Sequence, residues 1–348
     1  MMQPLKQFSP RLLQYSRNLL QGCIKHPQLT RYKSSHSVIP KNQLNFFKRS
    51  LSYASPRAIT LPTKRDGLSS RAYTTTTEQL MDPKCKVAIV TGGATGTGYS
   101  ITKKLLCCGV KVLIVDIDGQ AGQKAAHILG EQFGQGSVLF YHGDVSCEGH
   151  IHAFFRKCFD HFGGVNILIN HASVMDACNW VGECDINLGA VAKCMEISFN
   201  HLSCDVGVPG GFILNMSSTF ALKPFPVHPT YCATRRGVHG LHESYLDPFY
   251  YRLRNIRIAL LCAGPSNTCK IEKGRSHLPT RELQEEYDRV MVYECKQNPD
   301  AVGAAVANMV CHAPHGSMWV VEDGELFMIQ YPCYKNCRIE SSVRQLLD

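Results

Sequence analysis

A short β-branched run that leads into a glycine-rich turn is the strongest constraint on the fold of this chain. Residues 86–90 have the sequence KVAIV, and residues 91–98 follow with TGGATGTG. Apolar residues at helical spacing then continue over residues 99–106. A strand, a tight turn and a helix in this order predict the first unit of a parallel sheet, in which the backbone can approach a ligand closely.

Further short apolar runs recur along the chain, and a segment long enough for a helix separates each run from the next. These runs are 111–115 (KVLIV), 137–141 (SVLFY), 166–169 (NILI), 211–215 (GFILN) and 256–261 (IRIALL). This alternation predicts a parallel sheet that helices cover on both faces. We therefore expect residues 82–331 to form a single doubly wound, Rossmann-like α/β domain with a seven-stranded, mainly parallel sheet.

The glycine turn and an acidic residue beyond the second strand indicate a dinucleotide site. Gly92, Gly96 and Gly98 would let a pyrophosphate approach the helix N-terminus. Asp116 ends the second apolar run, where a carboxylate accepts hydrogen bonds from the adenine ribose hydroxyls. Because this carboxylate would repel a 2′-phosphate, NAD is favoured over NADP. The alternative for Asp116 is a residue that caps the following helix.

The basic residues are concentrated in the first 75 residues. The net charge of +9 would suggest a nucleic-acid or membrane-surface partner. However, residues 1–75 hold 13 Lys and Arg against one acid, Asp66, and the remainder holds 24 basic and 27 acidic residues. The predicted domain is therefore close to neutral, and we expect no nucleic-acid partner. We also expect no transmembrane segment, since the chain has no apolar run long enough to span a bilayer.

The basic leader, residues 1–75, has the composition of a mitochondrial transit segment, with Lys and Arg among Ser, Thr, Tyr and Gln. Residues 71–73 (RAY) resemble a matrix-processing site. We therefore predict localisation in the mitochondrial matrix. A disordered basic tail is the alternative, and a start at Met81 would give a cytoplasmic form.

The 17 cysteines are scattered without any Cys-x-x-Cys pair, which favours free thiols. Cys333 and Cys337 have a spacing that could bind a metal ion, but no second pair of ligands is evident. The histidines between His142 and His171 have no ligand spacing either. We predict no metal site.

Several residues at characteristic spacing carry a resemblance to a known enzyme family. The pattern Thr-Gly-x3-Gly-x-Gly lies at residues 91–98, and Tyr231 is followed four positions later by a basic residue, Arg235. Ser218 stands thirteen residues before Tyr231, and Asn187 lies in an Ile-Asn-Leu triplet. On these residues, the chain resembles the short-chain dehydrogenase/reductase family.

The resemblance covers about residues 84–330. It is strongest to hydroxyprostaglandin dehydrogenases and insect alcohol dehydrogenases, through residues 211–218 (GFILNMSS) and 231–233 (YCA). It implies an NAD-dependent oxidoreductase that interconverts a secondary alcohol and a ketone by hydride transfer. It also implies a small-molecule substrate and a homodimer or homotetramer.

The resemblance implies catalytic roles for Tyr231, Ser218, Asn187 and Arg235. Tyr231 would be the general base, Ser218 would hold the substrate oxygen, and Asn187 would position a relay water. The phenol pKa would have to fall from near 10 to about 7, which corresponds to about 4 kcal/mol. A cation about 4 Å away, at an effective dielectric of about 20, supplies about 4 kcal/mol. Arg235 is the expected cation.

The resemblance also implies a set of cofactor-binding residues. Asp144 and Val145 would contact adenine, Asn170 would stabilise the central sheet, and Thr268 would meet the nicotinamide carboxamide. The complete predicted set is Thr91, Gly92, Gly96, Thr97, Gly98, Asp116, Asp144, Val145, Asn170, Arg235 and Thr268. Residues 269–297, which mix basic and acidic side chains, are expected to determine the substrate.

The sequence departs from the family pattern at positions that would face the cofactor. Arg235 replaces a lysine, and a guanidinium keeps the charge but cannot release a proton. His171 and Ser173 replace the second Asn and the Gly of Asn-Asn-Ala-Gly, and Ala263 replaces a proline. Two functions are therefore considered: an NAD-dependent alcohol dehydrogenase, or a dinucleotide-binding pseudoenzyme or structural protein with weak or no turnover.

Overall fold

A computed structural model describes residues 80–202, 210–247, 254–294 and 296–331 of the chain. The predicted leader over residues 1–75 and the C-terminal tail over residues 332–348 lie outside the described residues. The possible metal ligands Cys333 and Cys337 lie in that tail. Within the described ranges, no helix is both long enough and apolar enough to cross a bilayer.

The strands form one sheet in the order β3-β2-β1-β4-β5-β6-β7-β8, which is parallel except for its last pair. The chain crosses from β3 to β4 on the other side of β1, so the sheet is doubly wound. The strands are β1 (Val87–Thr91), β2 (Lys111–Asp116), β3 (Val138–His142), β4 (Ile167–Asn170), β5 (Gly211–Ser218), β6 (Ile256–Ala263), β7 (Met318–Glu322) and β8 (Glu325–Ile329).

Helices connect the strands and cover both faces. They are α1 (Gly96–Cys107), α2 (Gly119–Phe133), α3 (Glu148–Phe162), α4 (Trp180–Cys184), α5 (Ala190–Leu202), α6 (Pro229–Ser244), α7 (Cys269–Ser276), α8 (Arg281–Met291) and α9 (Pro299–His312). A π-helical turn, Asp185–Gly189, joins α4 to α5. The predicted doubly wound α/β fold is thereby confirmed.

The central strands are buried on both faces, because alternate residues of a strand point to opposite sides of a sheet. Ile89 of β1 packs in the layer that contains Phe154 of α3. Its neighbour Ala88 packs in the opposite layer with Ile101 of α1 and Met309 of α9. The continuous apolar runs in the sequence therefore correspond to strands between two helical layers.

The sheet has eight strands, so the predicted number of seven was wrong. The additional strand β8 pairs antiparallel with β7. Asp323 (φ 53°) and Gly324 (φ 81°) lie between these strands, and both have the positive φ that a tight two-residue hairpin turn requires. The Asp-Gly pair between two apolar runs was the available sequence signal for this strand.

Helices α1 and α9 approach closely at a glycine. A Cβ placed on Gly303 of α9 would lie 2.5 Å from Ser100 Oγ and 2.8 Å from the Ser100 carbonyl oxygen of α1. Ser100 Oγ also donates a 2.6 Å hydrogen bond to Asp300 Oδ1. A side chain at position 303 would therefore push the two helices apart.

We expect Gly303→Ala to lower the free energy of unfolding by about 1–3 kcal/mol, which is typical of overpacking. Gly240→Ala is the matched control, because Gly240 lies on an exposed face of α6 with no atom within 4 Å of an added Cβ. That control should stabilise the protein by about 0.5–1 kcal/mol, since alanine favours helix. Urea denaturation measures both changes, and equal effects at the two sites would contradict the described packing.

Candidate functional site

A cleft of about 620 Å³ opens at the carboxyl ends of the parallel strands. Its position follows from the fold, since doubly wound sheets bind ligands where the strand order reverses. Its volume lies within the range of small-molecule and cofactor sites. The glycine turn after β1 forms part of its wall, and α7 faces that turn.

The glycine turn approaches its neighbours too closely for side chains. Gly92 (φ 65°) and Gly96 (φ 52°) have left-handed conformations that favour glycine. A Cβ on Gly98 would lie 1.9 Å from the Gly92 carbonyl oxygen. The turn therefore leads directly into the N-terminus of α1, where free amides favour an anion.

Asp116 lies at the end of β2 and lines the cleft. Its Oδ2 accepts a 3.0 Å hydrogen bond from the Ala94 amide, and its Oδ1 accepts one of 3.1 Å from the Asp118 amide. The N-cap of α2 is Asp118, whose side chain accepts a 2.9 Å bond from the Ala121 amide. The capping role considered for Asp116 therefore belongs to Asp118.

The predicted cofactor residues fall into two groups in the structure: those that line the cleft and those that lie behind its wall. Thr91 and Asn170 support the cleft wall from behind. Thr91 Oγ1 donates to the Ile169 carbonyl and accepts from the His171 amide, and Asn170 Nδ2 donates to Asn215 Oδ1. Gly98 lies in the buried start of α1. The predicted residues that line the cleft are Gly92, Gly96, Thr97, Asp116, Asp144, Val145, Arg235 and Thr268.

Asn187 is fully buried in the π-helical turn, and its side chain makes structural bonds. Its Oδ1 accepts from the Val174 amide, and its Nδ2 donates to the Val174 carbonyl and to Thr234 Oγ1, at 2.9–3.2 Å. These bonds join the loop after β4 to α6. The side chain therefore holds two walls of the cleft together, and its predicted role with a relay water stays a prediction.

Tyr231 and Ser218 meet in the cleft wall. Tyr231 lies in the first turn of α6 and is 4% exposed, and Ser218 is the last residue of β5. The Ser218 hydroxyl accepts a 3.2 Å bond from the Phe220 amide, and Ser218 is one of the groups that lower the pKa of the Tyr231 phenol. The predicted serine–tyrosine pair is therefore brought together.

Arg235 lies one turn after Tyr231 and is 2% exposed. Its Cζ lies 5.2 Å from the centre of the Tyr231 ring, and its Nη1 donates a 3.2 Å bond to the Met216 carbonyl. Its Nε and Nη2 are buried and have no hydrogen-bond partner among the described residues. Arg235 thus contributes positive charge to Tyr231 and leaves two donors unsatisfied beside the cleft.

Lys270 is a site residue whose role the sequence did not reveal. It lies in the first turn of α7, and its Nζ is 5.2 Å from the centre of the Tyr231 ring, over the ring face. The ammonium donates a hydrogen bond to Ser173 Oγ, and its charge is the largest of the effects that lower the pKa of the Tyr231 phenol. No sequence motif relates Lys270 to Tyr231, because the contact depends on how α7 folds back over the cleft.

Opposing effects determine the pKa of Tyr231. Burial raises it, whereas the charges of Lys270 and Arg235 and the hydrogen bonds from Lys270 and Ser218 lower it. The net direction is a pKa below that of an ordinary tyrosine. By contrast, burial raises the pKa of Tyr287, also in this region, to about 12. The Tyr231 phenol therefore loses its proton more readily than that of an ordinary tyrosine.

The chain is similar to known proteins of one enzyme family. Residues 86–278 match the short chain dehydrogenase family. The chain belongs to this family. The 15-hydroxyprostaglandin dehydrogenase (NAD(+)) of Mus musculus is 32% identical over 228 residues, which cover 65% of this chain and 85% of that protein. The human enzyme of the same name is 36% identical over 187 residues, which cover 54% of this chain and 70% of that protein.

A more distant relative and solved structures also match. The alcohol dehydrogenase-related 31 kDa protein of Drosophila melanogaster is 24% identical over 198 residues, or 57% of this chain and 72% of that protein. Levodione reductase has a TM-score of 0.60 at 22% identity, with coverage of 69% of this chain and 97% of the other. A short-chain dehydrogenase/reductase of Burkholderia phymatum in complex with NAD also has a TM-score of 0.60, at 21% identity, with coverage of 66% and 87%. The structural matches support the fold.

Proposed function

We propose that this chain is an NAD-dependent oxidoreductase that interconverts a secondary alcohol and a ketone, with Tyr231 as the general base. The observation that carries this proposal is the Tyr231 phenol, which faces the cleft beside Ser218 and has the Lys270 ammonium 5.2 Å from its ring centre, so that its pKa is lowered. NAD-dependent dehydrogenases among the relatives support the same chemistry.

The residues of the cleft fit a nicotinamide dinucleotide. The glycine turn can receive a pyrophosphate at the α1 N-terminus. Arg235 has two buried donors without partners, and an unsatisfied buried donor is costly unless a ligand oxygen meets it. Ribose hydroxyls would satisfy these donors. Asp116, on the cleft wall, would favour NAD by repelling the 2′-phosphate of NADP.

In the proposed oxidation, the Tyr231 phenolate accepts the hydroxyl proton of the alcohol while the carbinol carbon gives up its hydride. NAD supplies the hydride acceptor when it is bound. Ser218, which lines the cleft together with Tyr231, would stand beside the substrate oxygen and orient it. The nearby positive charges stabilise the phenolate before the substrate proton is transferred.

The second candidate is a dinucleotide-binding protein with weak or no turnover. The observation that favours it is the set of departures at the cleft wall, Arg235, His171 and Ser173, each of which places a larger or different side chain there than the family pattern has. It differs from the dehydrogenase only in turnover, so a measurement of binding and of rate on the same protein separates the two.

We expect Tyr231→Phe to lower kcat by roughly 10²–10⁴-fold, because it removes the proton acceptor while leaving the ring in place. The dissociation constant for NAD should change little. Steady-state oxidation of a panel of secondary alcohols, followed by the absorbance of reduced nicotinamide, measures the first quantity, and calorimetry measures the second. A wild-type protein that binds NAD but oxidises no alcohol would favour the second candidate.

We expect Asp116→Asn to reduce the preference for NAD over NADP by roughly tenfold, or about 1.4 kcal/mol, because the charge that repels the 2′-phosphate is lost. The control is Asp118→Asn, which removes a charge two residues away and keeps a good helix cap. Calorimetric titration with each cofactor gives the ratio of dissociation constants. A ratio that changes equally in both variants would show that Asp116 does not face the ribose.

A further inference from the structure

Two cations approach the Tyr231 ring at the same distance but contact it differently. Arg235 Cζ and Lys270 Nζ each lie 5.2 Å from the ring centre. The Arg235 guanidinium is held by the Met216 carbonyl, and it acts on the phenol through its charge. The Lys270 ammonium is held by Ser173 Oγ, and its charge has the larger lowering effect on the pKa of Tyr231.

The helix that carries Lys270 is fixed in place by its neighbours. The Tyr287 hydroxyl of α8 donates a 2.7 Å bond to the Ile271 carbonyl. His228, next to α6, donates from Nε2 to the Gly274 carbonyl at 3.0 Å. A Cβ on Gly274 would lie 2.6 Å from Met175 Sδ, so α7 packs tightly against the loop after β4. Lys270 is therefore presented to the cleft by an anchored helix.

Ser173 provides a second acceptor for the Lys270 ammonium. Ser173 stands where the family pattern predicts a glycine, and a glycine would offer no hydroxyl there. An ammonium group has three donors, and Ser173 Oγ accepts from one of them. Ser173, in the loop after β4, and Arg235, in α6, both depart from the family pattern. Both interact with Lys270, a lysine that the pattern does not include.

Three other ionisable residues near Tyr231 do not supply a positive charge as Lys270 does. Burial and the nearby Lys270 lower the pKa of His171 to about 4, so its ring is neutral at pH 7. Glu183 is 1% exposed and accepts a bond from the Asp176 amide; burial raises its pKa, and Lys270 and Arg235 oppose that rise. Tyr287 is neutral, because burial raises its pKa to about 12.

We propose that Lys270, held by Ser173, is the catalytic cation that stabilises the Tyr231 phenolate, and that Arg235 is left to bind the cofactor. This proposal rests on the proposed function for its catalytic meaning. Its physical basis is the Lys270 ammonium beside the phenol, which lies 5.2 Å from the centre of the Tyr231 ring and is held there by Ser173 Oγ. The division of roles also accounts for the two donors of Arg235 that have no partner.

The test is the titration of Tyr231 without cofactor, followed by the near-ultraviolet absorbance of phenolate. Subtracting the titration curve of Tyr231→Phe from each curve isolates this residue. Lys270→Met should raise the pKa of Tyr231 by about 1–3 units, because an opposite charge within hydrogen-bond reach is lost. Arg235→Met should raise it by less. Lys270→Arg should restore part of the effect, and Lys273→Met should leave it unchanged as a control for charge on α7.

Ser173→Gly should raise the pKa of Tyr231 by less than Lys270→Met does, because the ammonium loses one anchor but keeps its charge. If Lys270→Met lacks native circular dichroism, Lys270→Gln provides the same loss of charge with a polar side chain. In an active enzyme, the acid limb of kcat/KM should move to higher pH by the same amount. At pH 7, a shift of one unit corresponds to about a tenfold loss of rate.

The proposal is overturned if Arg235→Met raises the pKa of Tyr231 as much as Lys270→Met does, or if Lys270→Met leaves it unchanged. These outcomes are independent of turnover, because the titration requires neither NAD nor a substrate. A protein in which Lys270→Met raises the phenol pKa but wild type oxidises no alcohol would retain the Lys270–Tyr231 coupling and reject the proposed function.

Discussion

The burial of a phenol beside two cations is the interaction on which the site depends. Desolvation alone would raise the pKa of Tyr231 and keep the proton on its oxygen. The charges of Lys270 and Arg235 reverse that direction and lower the pKa. Arg235 is itself only 2% exposed. Burying a guanidinium is costly unless its donors are used. The cleft therefore combines a phenol prepared for proton transfer with donors that a bound ligand would satisfy.

The doubly wound sheet makes this combination possible by bringing the ends of distant strands together. Tyr231 comes from α6, Ser218 from the end of β5, and Lys270 from the helix that follows β6. The glycine turn after β1 lies across the cleft, and a Cβ on Gly96 would lie 3.1 Å from Thr268 Cγ2, just before α7. Hydrogen bonds made by Thr91 and Asn170 connect the ends of β1, β4 and β5, and those made by Asn187 join the loop after β4 to α6.

Much of the site could be predicted from the sequence because its signals are local. The glycine turn, Asp116 and the Ser218–Tyr231 spacing each follow from the chemistry of a single strand, turn or helix, and the structure brings them to one cleft. Strand β8 was missed although Asp323 and Gly324 marked its turn. Lys270 could not be assigned, because its contact with Tyr231 depends on how α8 and the loop after β4 anchor α7. The support that Thr91 gives from behind the cleft wall likewise depends on tertiary contacts.

The most direct test of the account is a crystal structure of the protein with NAD bound. The account predicts that Arg235 Nε and Nη2 donate to ribose hydroxyls of the cofactor, while Lys270 Nζ lies beside the oxygen of Tyr231. A structure in which Lys270 leaves the cleft and Arg235 takes its place at the phenol would contradict the assignment of roles. Failure of NAD to occupy the cleft at saturating concentration would contradict the proposed function itself.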